Sequence, residues 1–408
     1  MPNYKEGLNR HQQLLFPPSI DEYVDENNPV RAIDSYVDSI DLSTLGVFTC
    51  NGGSEGQPAY HPALLLKIYL YGYLNSIRSS RKLEREIKRN IEMMWLCMGL
   101  SPGYKTIANF RKDNPKVLKQ LFRDFVILCR SVDLIDGEVV AIDGKYKFIV
   151  ATDISTKGID LDQLYPLSIQ AKEATGNKKI KVAADAGYYN PKEIKKCVDE
   201  GIDVYVPIQD KQKQQKDKGK FTRDAFVYDE AKDCYICPNH EILKRKETIY
   251  ERNGIKRFMY RNVNSVCKVC SIRQQCLPNT TPAKRLWRWE HESLIDTHRT
   301  KMQTRKAKTM IKQRAALAEH PFGTIKQKLG WSHFLVRGKT KVAGENALIM
   351  LTYNFRRLLN LIGIKLFQKL IKGIKSGNIE DIKQEIAEYI AVLVFFRAFF
   401  RQKVSLYI

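Results

Sequence analysis

Over residues 61–77 the apolar side chains Leu64, Leu65, Ile68, Tyr71 and Leu74 recur every three or four positions, the spacing of one helical face. Pro62 stands near the start, where a helix tolerates proline. Ser79-Ser80 followed by Glu84 marks the start of a second helix that runs through Lys88, a third follows Asn90, and 106–112 with 117–130 supply two more. Ahead of them Pro17-Pro18, Asn27-Asn28-Pro29 and Gly52-Gly53 punctuate a lead-in with room for a short helix or two. The pattern predicts an all-helical domain of about four to six helices over residues 1–132.

Past Glu138 the period becomes strand-like. Val139-Val140-Ala141-Ile142 is a β-branched run that ends in Asp143-Gly144, and a second apolar stretch covers 148–154. Residues 160–175 read as a helix, 180–184 as a strand ending in Asp185-Ala186-Gly187-Tyr188-Tyr189, 191–200 as a helix stopped by Gly201, and 204–206 as a further strand. That alternation predicts an α/β core whose sheet has parallel members, with ligands gathering beyond the carboxyl ends of the strands. Asp143 and Asp185 stand at such ends, although a single aspartate there is more often a turn residue.

Residues 210–220 are a polar, low-complexity linker, and 226–260 alternates in strand fashion. A basic helix over 300–318, carrying Arg305, Lys308, Lys312 and Arg314, leads to Glu319-His320-Pro321-Phe322-Gly323-Thr324-Ile325-Lys326. Glu319 and Lys326 are seven residues apart in the sequence, about two turns and so one face of a helix, whereas Pro321 and Gly323 argue against an unbroken one. By itself this stretch reads as an ion pair on a solvated helix. A further helix covers 338–361, and 365–408 reads as helices parted at Ser376-Gly377-Asn378.

Charge narrows the partners. Lys and Arg number 68 against 45 Asp and Glu, a formal +23, which selects a polyanion, nucleic acid before an anionic membrane. Arg78, Arg81, Lys82, Arg85, Arg111 and Lys112 put part of that charge on the helical domain, interleaved with Tyr and Trp as on a DNA-contacting surface. The most apolar stretch, 390–400, is broken by Arg397 and too short to span a bilayer, and residues 1–10 are polar with no apolar run behind them. A cytoplasmic, nucleoid-associated protein is expected, with no membrane partner.

Nine cysteines, an odd number, argue for thiols or metal ligands rather than a disulfide framework. Cys234-x2-Cys237 and Cys267-x2-Cys270-x5-Cys276 offer five thiols for the four positions of a structural Zn²⁺ site, and spacing leaves open whether Cys234 or Cys276 is the spare. Cys50, Cys97, Cys129 and Cys197 fall in apolar or helical contexts and read as packing residues. The acids Asp143, Asp185 and Glu319 make a different set. Three carboxylates in one cleft repel one another unless divalent cations lie between them, and oxygen-only ligands suit Mg²⁺ or Mn²⁺. Two such ions serve an in-line attack on a phosphodiester.

Val140-Ala141-Ile142-Asp143-Gly144, Ala184-Asp185-Ala186-Gly187-Tyr188-Tyr189 and the octapeptide from Glu319 to Lys326 resemble the three signatures of DDE transposases of prokaryotic insertion sequences. Ser79-Ser80-Arg81-Lys82-Leu83-Glu84, Thr106-Ile107-Ala108-Asn109-Phe110-Arg111, Phe334-Leu335-Val336-Arg337-Gly338 and Tyr353-Asn354-Phe355-Arg356-Arg357 are similar to further segments of one branch, so the likeness spans about 62–363. It implies a helical DNA-binding domain (1–132) and an RNase H-like mixed-sheet core in two parts (133–209 and 291–363). A Cys-rich, zinc-ribbon-like insertion (210–290) would interrupt that core, and helices (364–408) would close the chain. It implies Asp143, Asp185 and Glu319 as the metal-binding catalytic triad, and Lys326 and Arg314 as contacts to a phosphate at the transposon end. Arg81 and Arg111 would serve the helical domain's DNA surface, and Cys237, Cys267, Cys270 and Cys276 would be the zinc ligands. The expected partners are DNA, as terminal inverted repeats and target, and a second copy of the chain in the DNA complex.

Two departures follow. Asp143-Gly144 runs almost directly into Lys145-Tyr146-Lys147-Phe148, where the resembled transposases have a long segment and another strand, and Gly103 stands where they tend to have an acid. The first implies an internal deletion, so the competing reading is an inactive relative that only binds DNA. A zinc-stapled RNA-binding protein ranks below both, because it needs base-stacking aromatics on an exposed sheet and most aromatics here fall at helical or core spacing.

Overall fold

The computed structural model describes residues 19–47, 58–135, 139–140, 148–154, 160–208, 216–252 and 255–404, with backbone alone at 139–140, 252, 255, 315–320 and 396–404. Among the described residues a 3-10 turn, Ile20–Tyr23, precedes six α-helices: α1 (Pro29–Val37), α2 (Pro62–Leu74), α3 (Ser80–Arg89), α4 (Ile91–Leu96), α5 (Tyr104–Asp113) and α6 (Pro115–Ser131). Then come β1 (Val139–Val140), α7 (Leu164–Thr175), β2 (Lys181–Ala183), α8 (Pro191–Asp199) and β3 (Asp203–Tyr205). Strands β4 (Val227–Asp229), β5 (Cys234–Ile236), β6 (Ile242–Arg252) and β7 (Ile255–Arg261) follow, and then α9 (Asn264–Lys268), α10 (Arg273–Cys276) and β8 (Arg285–Trp289). Helices α11 (Glu292–Gln303), α12 (Arg305–Gly323), α13 (Lys339–Ser376) and α14 (Glu380–Val404) complete the chain.

The chain divides into two compact units, one of residues 1–183, 201–203 and 313–408, the other of 184–200 and 204–312. The sequence-based division at 132 and 363 differs, because α13 packs against α1, α2, α5 and α6 and draws the two ends of the chain into one unit. In that unit Tyr36, Phe125, Phe355 and Phe367 form an aromatic core. Lys67, buried in α2, pairs with Asp34 at 2.6 Å and Asp38 at 2.8 Å, which offsets the cost of burying its charge. Helix α13 runs past the predicted end at 361 and kinks at Gly363, whose φ of 75° suits a residue without a Cβ. Gly377, at φ 74°, ends it where Ser376-Gly377-Asn378 predicts a break.

A three-stranded sheet has the order β1-β2-β3. β1 and β2 are parallel, with Val139 opposite Lys181 and Val140 opposite Val182. The strand predicted over 148–154 is not one. Phe148, Ile149 and Val150 are buried as a strand's residues would be, yet the backbone of Ile149 is served by a side chain of α13. Ile149 N–H donates to Asn354 Oδ1 at 2.9 Å, and Asn354 Nδ2 donates to Ile149 O at 2.7 Å. The Asn354 carboxamide thus replaces a neighbouring strand at this residue, and Asn346 adds a 2.6 Å bond to Thr152. Asn354→Ala leaves one buried donor and one buried acceptor unmet, so a loss on the order of 2 kcal/mol is expected in chemical denaturation. Asn354→Asp keeps the acceptor but buries a carboxylate against the Ile149 carbonyl oxygen, so it should lose at least as much.

The second unit holds an antiparallel meander in the order β4-β5-β6-β7-β8. One face is core: Phe226, Tyr235, Leu243, Tyr260 and Leu286 pack together. A smaller cluster joins Cys267, Leu277 and Ala283.

Candidate active site and nucleic-acid interface

Asp185 follows β2 and caps a short 3-10 turn, Ala186–Tyr188. Its Oδ1 accepts from Gly187 N–H at 2.8 Å, which fixes the carboxylate against its own loop. A Cβ at Gly187 would stand 2.9 Å from that oxygen, so only glycine lets the turn close without pushing the carboxylate aside. The loop continues to Tyr189, whose ring lies over His298 with centroids 6.5 Å apart. His298 is buried, with Nε2 2.9 Å from Val206 O, and Lys301 donates to Val204 O at 2.7 Å, so α11 braces the segment around β3.

Of the other predicted acids, Asp143 lies outside the described residues, and Glu319 lies on α12, where only the backbone is described. Helix α12 passes through Pro321 to Gly323 and continues as a π-helical turn, Thr324–Lys328, which carries Lys326. The path from Glu319 to Lys326 is therefore helical throughout, but the wider turn shifts the two-turn register that an α-helix alone would give. Lys326 is exposed and Arg314 half-buried.

The predicted DNA-contacting arginines divide. Arg81 is exposed at the start of α3 and rests over the Tyr104 ring at 5.1 Å. Arg111 is buried, and this corrects its assignment to a DNA surface. Its Nη1 lies 3.0 Å from Tyr73 Oη and 3.3 Å from Glu345 Oε1, and the guanidinium lies over Tyr69 at 5.5 Å. Arg78 is also committed to structure: it stacks on Trp331 at 4.3 Å and donates to the carbonyls of Gly330 and His333.

Cys237, Cys267, Cys270 and Cys276 line one cavity of about 30 Å³, on the scale of a single water or ion. Burial pushes the Cys276 thiol up against the pull of Lys284, and Cys267, Cys237 and Cys270 push the same way, so the four thiols sense one another. Cys234 is buried in β5 and does not line that cavity. Among the described residues no group of three or more His, Cys, Asp or Glu side chains is arranged to hold a metal ion. Four soft donors around a volume of this size nonetheless fit a tetrahedral Zn²⁺ in kind and number.

Two family models match the chain. A transposase domain covers residues 18–113, with Arg81 and Arg111, and a transposase DDE domain covers 236–359, with Glu319, Lys326 and the four cavity cysteines. Asp143 and Asp185 lie outside both stretches. No curated protein and no solved structure matches. Both matched models are transposase domains, and together they support a DDE transposase of an insertion sequence. The chain is a transposase with a mixed helical and sheet fold, and no described helix is long and apolar enough to cross a membrane.

Proposed function

We propose that this transposase cleaves DNA at the ends of its own insertion sequence and joins them to a target, with Asp143, Asp185 and Glu319 as its catalytic carboxylates. The observation that carries the reading is the register of the parallel pair β1 and β2. Val140 is opposite Val182, and the sequence counts three residues from Val140 to Asp143 (143 − 140) and three from Val182 to Asp185 (185 − 182). By sequence count both acids follow a register pair of adjacent parallel strands by the same interval, which supports reading them as one divalent-cation site. The third acid, Glu319, falls inside the matched DDE domain. On this reading the first unit's sheet belongs to an RNase H-like core.

Hard carboxylate oxygens suit Mg²⁺ or Mn²⁺, which Asp143, Asp185 and Glu319 would hold and whose chemistry would be activation of the attacking water or 3′-hydroxyl and stabilisation of the leaving oxygen. The chain's own residues supply the rest. Asp185 is held by Gly187. Lys326 and Arg314 meet a backbone phosphate at the transposon end, and Arg81 contacts DNA from the helical region, all within a chain of formal charge +23. The test is incubation of the full chain with duplexes carrying the element's ends. Cleavage in Mg²⁺ or Mn²⁺ and none in chelator is expected. Binding without cleavage under both metals would instead favour a DNA-binding relative with no catalytic activity.

Cys237, Cys267, Cys270 and Cys276 are proposed to hold a structural Zn²⁺ that closes the end of the meander. Purified chain should carry about one zinc. Cys270→Ser should lose it and make the segment around α9 and α10 sensitive to protease, because such a module has little core of its own. Cys234→Ser should keep it, and elemental analysis separates the two outcomes.

A further inference from the structure

The loop that leads from the π-helical turn to α13 is gripped at its start by the turn between α2 and α3 and at its end by Glu345. In the π-helical turn, Thr324–Lys328, Leu329 N–H donates to Thr324 O at 3.1 Å, and Trp331 N–H then donates to Ile325 O at 3.1 Å. Gly330, at φ 67°, turns the chain back so that Trp331 can make that bond. Wide turns of this kind are uncommon and gather at functional sites. Ile325 and Leu329 are buried while Lys326 is exposed, so the turn is seated in the core and presents that lysine to solvent. The Ile325 carbonyl belongs to the peptide bond that joins Ile325 to Lys326. Whatever fixes Trp331 therefore restrains the backbone at Lys326.

Trp331 is fixed by two neighbours. Its ring, 6% exposed, meets the buried Tyr73 ring of α2 at 4.3 Å, and the Arg78 guanidinium lies over it at 4.3 Å. The same guanidinium donates to Gly330 O at 2.9 Å and to His333 O, and Ser76 Oγ donates to Lys328 O at 3.1 Å. Ser76 does so from a left-handed φ of 61°, which residues with a Cβ adopt rarely. Stacking on an indole while reaching two carbonyls uses the flat, forked shape of a guanidinium, which an ammonium lacks. At the far end of the loop Glu345 accepts from Leu335 and Val336 N–H, and Arg111 links Glu345 to the hydroxyl of the same Tyr73. Between these anchors Ser332, His333 and Phe334 are exposed. Surface loops are ordinarily the mobile part of a fold, and this one is held in a single conformation from the side of α2 and α3.

Arg78 lies directly before Ser79, the N-cap of α3, and three residues before Arg81 (81 − 78), which is exposed. One turn thus commits one arginine to the loop and leaves another facing solvent. We propose that Arg78 is a positioning residue: through Trp331 it holds the π-helical turn so that Lys326 meets the phosphate at the transposon end while Arg81 contacts the same DNA from the start of α3. This role rests on the reading of Lys326 as a phosphate contact, and it gives Arg78 no contact of its own with DNA.

The experiment measures binding of the full chain to duplexes carrying the element's ends, without Mg²⁺ or Mn²⁺, across a series of salt concentrations. Lys326→Ala should remove one phosphate contact and flatten the log–log salt dependence by about 0.9. Arg78→Ala should flatten it by at least about half of that amount. Once Lys326 is replaced, adding Arg78→Ala should change affinity by no more than about twofold, because a residue that acts through Lys326 has nothing left to position. Arg78→Lys keeps the charge without the fork and should behave like Arg78→Ala; it carries the same comparison if circular dichroism shows that Arg78→Ala has not folded. Additive losses, with the double variant flattening the slope by about 1.8, would mean that Arg78 touches phosphate itself and overturn the positioning role. Parent-like binding by Arg78→Lys overturns it as well, since charge alone would then suffice. If Lys326→Ala weakens binding and neither Arg78 variant does, this role fails alone; if Lys326→Ala binds like the parent, the phosphate reading of Lys326 fails and this role with it. No cleavage is read, so the result is separate from that of the metal-dependent cleavage test.

Discussion

Asp185→Asn should abolish metal-dependent cleavage of transposon-end DNA while leaving binding of that DNA within about twofold. The expected loss is roughly a thousandfold or more, the scale on which neutralising one charged group of a catalytic set acts. The substitution is well matched to the question. Asparagine has the shape of aspartate, and its carbonyl oxygen can still accept the 2.8 Å bond from Gly187 N–H, so the turn that follows β2 keeps its conformation. What disappears is the negative charge, and with it the attraction that would hold a divalent cation. Gly187→Ala offers the complementary perturbation: charge stays, but a Cβ placed 2.9 Å from Oδ1 pushes the carboxylate out of position. A smaller loss, partly recovered at higher Mn²⁺ concentration, is expected there. Single-turnover cleavage at saturating protein reads both, and full activity in Asp185→Asn would remove Asp185 from the catalytic set.

Much of the scaffold around Asp185 is legible from local pattern. The apolar run before it and the proline-initiated helix after it predict β2 and α8 to within a residue or two, because one strand and one short amphipathic helix are decided by neighbours in sequence. The misread elements share a different cause. Phe148-Ile149-Val150 has the composition of a strand and is buried like one, but hydrogen-bond partners decide whether it enters a sheet, and Ile149 finds its partner 205 residues away in Asn354. Arg111 looks like one more surface cation on a basic helix, and its partner Glu345 lies 234 residues downstream. Of the five cysteines in the two clusters, spacing alone shows two C-x2-C pairs, whereas it takes the fold to show that Cys237, Cys267, Cys270 and Cys276 line one cavity and that Cys234, in β5, does not. Trp287 and Trp289 carry a period-two signal that is readable in sequence, but which face of β8 is core depends on how the meander packs.

Replacing Glu345 should be the most damaging single change to the first unit, and the reason is the same long-range pairing. The Glu345 side chain is fully buried and that of Arg111 is 6% exposed. Glu345 receives Arg111 at 3.3 Å through Oε1, and through Oε2 it accepts the N–H groups of Leu335 at 2.8 Å and Val336 at 3.2 Å. Glu345→Ala therefore strands a buried guanidinium and removes the acceptor of two backbone donors in the loop ahead of α13. Breaking a buried pair from one side costs about 3–5 kcal/mol, far more than the pair contributes over apolar residues of the same volume. In a unit of this size that lowers the melting midpoint on the order of 10 °C, followed by far-ultraviolet circular dichroism. The cause can be separated from cavity formation by a cycle with Arg111→Met. If the stranded charge dominates, Glu345→Leu combined with Arg111→Met will be more stable than Glu345→Leu alone, although short of the parent because the Leu335 and Val336 donors remain unmet. A midpoint for Glu345→Ala within about 2 °C of the parent, below the effect of 1 kcal/mol, would mean that Arg111 reaches solvent after all and would return it to the DNA-contacting surface.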